Sequence, residues 1–189
     1  LESVRYVGGM GRSVREDLSP GEWAVLGAVA EGRTHGFALA QLLAPGGALG
    51  RVWTLTRGRI YQILKKLVQV GLVAELSTER GDRGPLRTIV AVTPAGQEAL
   101  DGWLEQPVDH VRDVRSMLLL KLALLARSHR DWQPLIELQR RRITAQMHGL
   151  DENRAKAVGF EQVLLEWRAT SSRATIDFLD AISTVLVED

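Results

Sequence analysis

The sequence predicts a mainly α fold in which three helices are closed by a two-stranded hairpin and a second, wholly helical part follows. Three observations carry this prediction. Residues 57–70, Arg-Gly-Arg-Ile-Tyr-Gln-Ile-Leu-Lys-Lys-Leu-Val-Gln-Val, set Ile60, Ile63, Leu64, Leu67 and Val68 on the i, i+3, i+4, i+7, i+8 stripe of an amphipathic helix. Two strand-like runs, residues 72–78 and 87–92, flank a segment rich in glycine and arginine, residues 79–86, as the arms of a hairpin flank its tip. Beyond Pro107 the apolar residues keep a helical period throughout.

Each element has its own signals. Residues 1–18 carry no core pattern. Up to Asp17 three basic residues balance three acidic ones, so the segment reads as an N-terminal extension and not as a DNA-reaching arm. Ser19-Pro-Gly-Glu22 is a capping box with proline at the first helical position, and it opens a helix that buries Trp23, Leu26, Gly27 and Ala30. A short second helix, residues 36–43, offers Phe37, Leu39, Ala40 and Leu43 to the core and ends at Pro45-Gly-Gly47. Those glycines make a loop and not a phosphate cradle, because no strand precedes them and no Gly-Lys-Ser/Thr follows. Thr56 is the expected N-cap of the third helix and Gly71 its C′ residue. Thr93-Pro94 starts a fourth helix through Ala99, Leu100, Trp103 and Leu104, and Pro107 stops it. The expected division is therefore residues 19–105 and residues 106–189.

In the second part, residues 112–126 are apolar most of the way round, as in a buried helix. A further helix is expected from Asp131 to about His148, then an irregular polar link from Gly149 to Gly159. The last helix places Phe160, Leu164, Trp167, Ser171, Ala174, Phe178 and Val185 on one heptad-like seam. A seam that long needs a partner, and a second copy of the chain is the economical one.

Composition sets outer bounds. The chain has 189 residues, 45% hydrophobic and 25% charged, enough for one or two domains with real cores. Net charge is only +1, but from Arg51 to Arg87 eight basic residues face three acidic ones. Such a local excess is the electrostatic footprint of a nucleic-acid site. The absence of cysteine fits a cytoplasmic location and rules out disulfide and thiolate-metal frameworks. No segment reads as a signal peptide or a membrane span, and no membrane partner is expected.

The third helix carries the functional argument. At about 100° per residue its outer face presents Gly58, Arg59, Gln62, Lys65, Lys66 and Gln69, with no acid among them. A helix with a basic outer face followed by a basic hairpin is the layout of a winged helix-turn-helix. In that layout Arg59, Gln62 and Lys65 face base edges of double-stranded DNA, while Thr56, Arg57, Tyr61 and Lys66 hold the backbone at the groove rim. Arg80, Arg83 and Arg87 reach phosphate from the wing. The alternatives are a solvated helix face and turn, an edge-sealing role for Tyr61, and an adaptor module whose winged helix binds protein. An enzyme is not expected. There is no Gly-x-Ser-x-Gly elbow, Walker loop or His-Glu-x-x-His pair, and His35, His110, His129 and His148 lack metal-ligand spacing. No cofactor is called for. Arg140-Arg141-Arg142 reads as a solvated face, with a second DNA contact as the alternative.

The ordered series of motifs resembles the PadR family of bacterial transcriptional regulators, in the branch with a long helical C-terminal domain. The matching stretches are Val25 to Gly32, His35-Gly-Phe37, Trp53-Thr-Leu-Thr56, Gly58 to Tyr61, and Leu64-Lys-Lys-Leu67. They continue with Gly71-Leu-Val73, Gly84-Pro85, Thr93-Pro-Ala-Gly96 and Leu118-Leu-Leu-Lys-Leu122. The resemblance implies a homodimeric repressor of a palindromic operator. Its dimer interface would be made by C-terminal helices, here Leu118 with Phe160, Leu164, Trp167, Ser171, Ala174 and Phe178. It also implies DNA contacts from Tyr61 and from the basic residues of the third helix and wing. A small aromatic or drug-like effector is implied as well, for which Trp103, Trp132 and Trp167 are candidate lining residues, with core packing as their alternative role. The family often has proline where this chain has Arg57 and Gln62. It favours a basic residue and two tyrosines where this chain has Thr88, Ile89 and Val90, so wing contacts made by those family side chains are not carried over.

Overall fold

The computed structural model describes residues 18–80, 86–154 and 157–185. They fall into two compact units divided between Asp101 and Gly102.

In the first unit, helix α1 (Pro20–Ala30) starts at the predicted capping box, where the Ser19 amide donates to Glu22 Oε2 at 2.8 Å. Its residues from Gly21 to Val29 are all buried, as its nearly unbroken apolar sequence demands. Strand β1 (Thr34–His35) follows, then helix α2 (Gly36–Leu42), capped by His35 Nδ1, which accepts from the Ala38 amide at 3.1 Å. Helix α3 (Arg57–Gln69) begins at Thr56, whose Oγ1 accepts from the Arg59 amide. It ends in a Schellman motif: the Gly71 amide donates to the Val68 carbonyl and the Leu72 amide to the Leu67 carbonyl. Gly71 has φ +74°, the left-handed conformation that this ending needs and that glycine adopts without strain. The stripe predicted from periodicity is the buried one, with Ile60, Ile63, Leu64 and Leu67 in the core.

Strands β2 (Val73–Arg80) and β3 (Leu86–Val92) form the antiparallel hairpin, in register from Val73 opposite Val92 to Arg80 opposite Leu86. An irregularity between Glu75 and Ser77 shifts the pairing by one residue. The sheet has three strands, in the order β1-β3-β2, and not the two expected. Thr34 pairs with Val90 and His35 with Ile89, a strand too short to leave a period in the sequence. Helix α4 (Pro94–Glu105) is tied to the end of α3, since Thr93 Oγ1 donates to the Gly71 carbonyl at 2.7 Å.

The second unit is helical. Its predicted first helix opens irregularly, as a 3₁₀ turn (Val111–Asp113) and a π-helical stretch (Val114–Leu118), before helix α5 (Leu119–Arg127). Helix α6 (Gln133–Arg154) starts just after Asp131, whose Oδ1 accepts from the Gln133 amide, and runs through Gly149 into the predicted link. One internal glycine costs a helix only about 1 kcal/mol, which packing against a neighbour outweighs. That neighbour is helix α7 (Phe160–Ser183), packed along α6 by Leu165, Ala169, Ser172, Thr175 and Leu179. Two longer polar side chains, Gln139 and Lys121, are buried in this unit as well. Gln139 clamps the backbone of Val108, donating to its carbonyl at 3.0 Å and accepting from its amide at 2.7 Å. Lys121 donates to the carbonyls of Trp103, at 2.6 Å, and Gln106, and its ammonium lies 4.6 Å from the centre of the Trp103 ring.

Candidate nucleic-acid interface

With its apolar stripe buried, α3 leaves Arg57, Gly58, Arg59, Tyr61, Gln62, Lys65, Lys66 and Gln69 exposed. These include all the third-helix residues predicted to meet DNA. Arg59 and Gln62 are joined on this surface, Arg59 Nη1 donating to Gln62 Oε1 at 3.3 Å, and Lys65 lies one turn further along. All three point toward solvent, where a base edge could be read.

Lys66 is placed differently. Its Nζ meets Glu22 Oε1 at 2.8 Å, so its charge is taken up by α1 and not offered whole to a DNA backbone. The cause is Glu22, whose side chain is only 6% exposed and needs a cation. Burial alone would raise the Glu22 pKa; the bonds from Lys66 and from the Ser19 amide outweigh it and hold the carboxyl below its ordinary value. The partner is far away in sequence, so helical spacing alone gave no sign of the pair.

Arg57, Tyr61 and Arg87 form a second group, where α3 faces the hairpin. Here the structure brings in a residue that the sequence reading assigned to the core. Phe37 is 41% exposed. The guanidinium of Arg57 lies 5.6 Å from the centre of its ring and that of Arg87 lies 5.8 Å from it. Arg57 is also 5.8 Å from the centre of the Tyr61 ring. Tyr61 in turn rests on Gly36, where a Cβ would come within 2.6 Å of its ring. These side chains line an open cleft of about 860 Å³ between α2, α3 and the hairpin, with Lys65 and Glu75 also on its walls. Arg80 ends β2 at the base of the tip, while Arg83 lies outside the described residues.

The second-unit predictions divide. Phe160 and Trp167 are 79% and 70% exposed, Ala174 is exposed, and Leu164, Ser171 and Phe178 are half-buried, so the predicted seam lies outside the α6–α7 contact. Leu118, expected on the same surface, is instead fully buried in the core of its own unit, out of a partner's reach. The three tryptophans do not converge. Trp167 lines a groove of about 780 Å³ with Arg112, Arg115 and Arg168, whereas Trp103 holds Lys121 and Trp132 is half-buried, neither lining that groove. Arg140, Arg141 and Arg142 are exposed and ion-paired with Asp180, Glu137 and Asp109. Among the described residues no cluster of three or more His, Asp or Glu is placed to hold a metal, and no helix is long and apolar enough to cross a membrane.

No curated protein matches the chain. Among solved structures it is similar, at 20% identity, to Bacillus subtilis PadR in complex with operator DNA, with 86% of this chain and 97% of that chain covered at a TM-score of 0.42. It is similar at the same identity to smu.1604c from Streptococcus mutans UA159, covering 85% and 96% with a TM-score of 0.42. A third similar structure, also at 20% identity, is Bacillus subtilis PadR in complex with p-coumaric acid, covering 90% and 100% with a TM-score of 0.41. These likenesses are loose, and the assignment rests on sequence. Residues 25–102, which hold the whole three-stranded sheet and α3, match the family described as Transcriptional regulator PadR-like family, so the chain carries a PadR-like domain over those residues.

Proposed function

We propose that the chain binds double-stranded DNA through α3 and its hairpin and represses transcription as a homodimer on a palindromic operator. The observation that carries this reading is the outer side of α3: solvent-exposed, free of acids, and flanked by the arginines of the hairpin. Arg59, Gln62 and Lys65 read base edges, and Arg57, Tyr61, Arg80, Arg83 and Arg87 hold the sugar–phosphate backbone. Thr56 fixes the end of α3 that approaches the groove. Two such helices related by a two-fold axis read half-sites about one DNA turn, roughly 34 Å, apart. The exposed seam of α7 is the dimer surface. A small aromatic effector that releases DNA has its best lining in the groove beside Trp167, where an indole and three guanidinium groups meet an apolar floor.

The test is to sequence the genomic fragments that the purified protein retains, then titrate one of them with the parent, Arg59→Ala and Lys65→Ala. A bidentate arginine–guanine contact is worth about 1–3 kcal/mol, so Arg59→Ala should bind roughly 10- to 100-fold more weakly. Parent-like affinity in both variants would remove the base-reading assignment. Binding to random DNA should fall steeply with salt. A parent that retains no DNA even at low salt would leave the protein-binding adaptor as the better reading.

A further inference from the structure

We infer that Phe37 is a positioning residue for DNA: its exposed ring is a platform that holds Arg57 of α3 and Arg87 of β3 for one stretch of sugar–phosphate backbone. The inference rests on the DNA-binding reading and adds to it a residue that touches no base.

A phenylalanine left two-fifths open to water at the start of a helix is not explained by the core of its own unit. What surrounds it explains it. The Arg57 and Arg87 guanidiniums lie 5.6 and 5.8 Å from its centroid, within the range in which a cation is drawn to a ring face. His35 stacks near the ring, with centroids 6.4 Å apart and planes 26° from parallel. That imidazole is itself fixed as the cap of α2, so the ring stands beside a rigid support. The two arginines come from the two elements that a winged helix presents to DNA, one at the first residue of the reading helix and one on the hairpin. A shared platform therefore sets the spacing between helix and wing.

Charge points to the occupant. The cleft carries Arg57, Lys65 and Arg87 against one acid, Glu75, and neither guanidinium has an ion-pair partner among the described residues. Two cations beside one ring repel each other, and a polyanion laid along the mouth of the cleft relieves that repulsion. Long arginine side chains lose rotamer freedom when they bind; pre-stacking them on Phe37 removes part of that cost before DNA arrives.

The experiment uses the full chain and a fragment retained by the parent, with affinities measured at one salt concentration for Phe37→Leu, Phe37→Tyr, Arg57→Ala/Arg87→Ala and the triple variant carrying Phe37→Leu. Loss of two exposed cation–π contacts predicts binding about 5- to 10-fold weaker in Phe37→Leu. Phe37→Tyr, which keeps the ring, should stay within about twofold of the parent. In the Arg57→Ala/Arg87→Ala background Phe37→Leu should cost nothing further, an outcome that a purely structural role does not give. Parent-like binding by Phe37→Leu, a Phe37→Tyr as weak as Phe37→Leu, or a full Phe37 effect without the arginines would each overturn the platform. Should Phe37→Leu melt early, Phe37→Trp joins Phe37→Tyr in the rescue arm, where affinity well below the parent overturns the inference. A parent that fails to bind any DNA removes the DNA reading and this inference together; a parent that binds while Phe37→Leu is neutral removes only the inference.

Discussion

Tyr61 owes its place to the side chain missing opposite it. A Cβ on Gly36 would sit 2.6 Å from the Tyr61 ring, so Gly36→Ala pushes the ring off α2. The ring is 45% exposed and can swing into water, which keeps the cost to folding near 1 kcal/mol or less. Loss of DNA affinity should exceed what that small destabilisation implies, and comparing urea midpoints with gel-shift titrations separates the two; equal losses would mean that Tyr61 is only an edge seal. Lys121 gives a residue-scale prediction in pH. Burial pulls its pKa from 10.5 down to about 8, with the charge of Asp109 pulling the other way. Between those two values the unfolded chain binds the proton and the folded one does not, so raising pH there stabilises the fold. The neutral amine keeps N–H donors for the Trp103 and Gln106 carbonyls. Lys121→Met lacks this titration. Its stability relative to the parent should be constant below pH 8, and above that the parent should gain by up to about 1.4 kcal/mol per pH unit. Parallel urea-unfolding curves from pH 7 to 10 would refute the shift.

At the scale of elements, legibility followed distance along the chain. α3 could be read because its stripe, its Thr56 cap and its Gly71 ending all lie within sixteen residues of one another. β1 could not, because two residues have no period. Phe37 reads as core in the sequence because pattern reports that a residue is apolar and not that it is covered; only the fold brings Arg57 and Arg87 to it. The same limit hid Glu22 behind Lys66 and placed the seam of α7 beside its packed stripe, since that helix carries one apolar stripe for α6 and another facing outward. Gln139 is the clearest case. Glutamine on a predicted helix reads as solvent-facing, yet here it is fully buried and satisfies both backbone groups of Val108, 31 residues earlier. Gln139→Leu keeps the volume but strands a buried amide and carbonyl, at a cost of about 2–4 kcal/mol. The urea midpoint should fall with an unchanged slope. A loss under about 0.5 kcal/mol would show that water or a local shift takes over the two bonds.

At the scale of the whole molecule, α7 keeps an apolar face that its own unit leaves uncovered. Phe160, Val163 and Trp167 are 79%, 61% and 70% exposed within two turns, beside the exposed Val158. A contiguous apolar surface of this kind is unusual on a soluble monomer and marks an interface. A second copy fits the heptad-like order of Phe160, Leu164, Trp167, Ser171, Ala174 and Phe178, because a two-fold axis brings one stripe against itself. Ser171 and Ala174 in the middle of the stripe let the two backbones approach. If so, sedimentation should find the parent as a dimer at micromolar concentration and Trp167→Glu as a monomer, since two carboxylates would then be buried against each other. The helical circular dichroism of Trp167→Glu should be unchanged, because Trp167 is not part of the buried stripe formed by Leu165, Ala169, Ser172, Thr175 and Leu179. DNA separates assembly from reading. A palindromic fragment gains affinity from two linked readers, so Trp167→Glu should lose most of that gain while binding an isolated half-site as the parent does. A Trp167→Glu that stays dimeric would move the interface elsewhere. One that is monomeric yet binds the palindrome with undiminished affinity would show that each α3 reads its half-site alone.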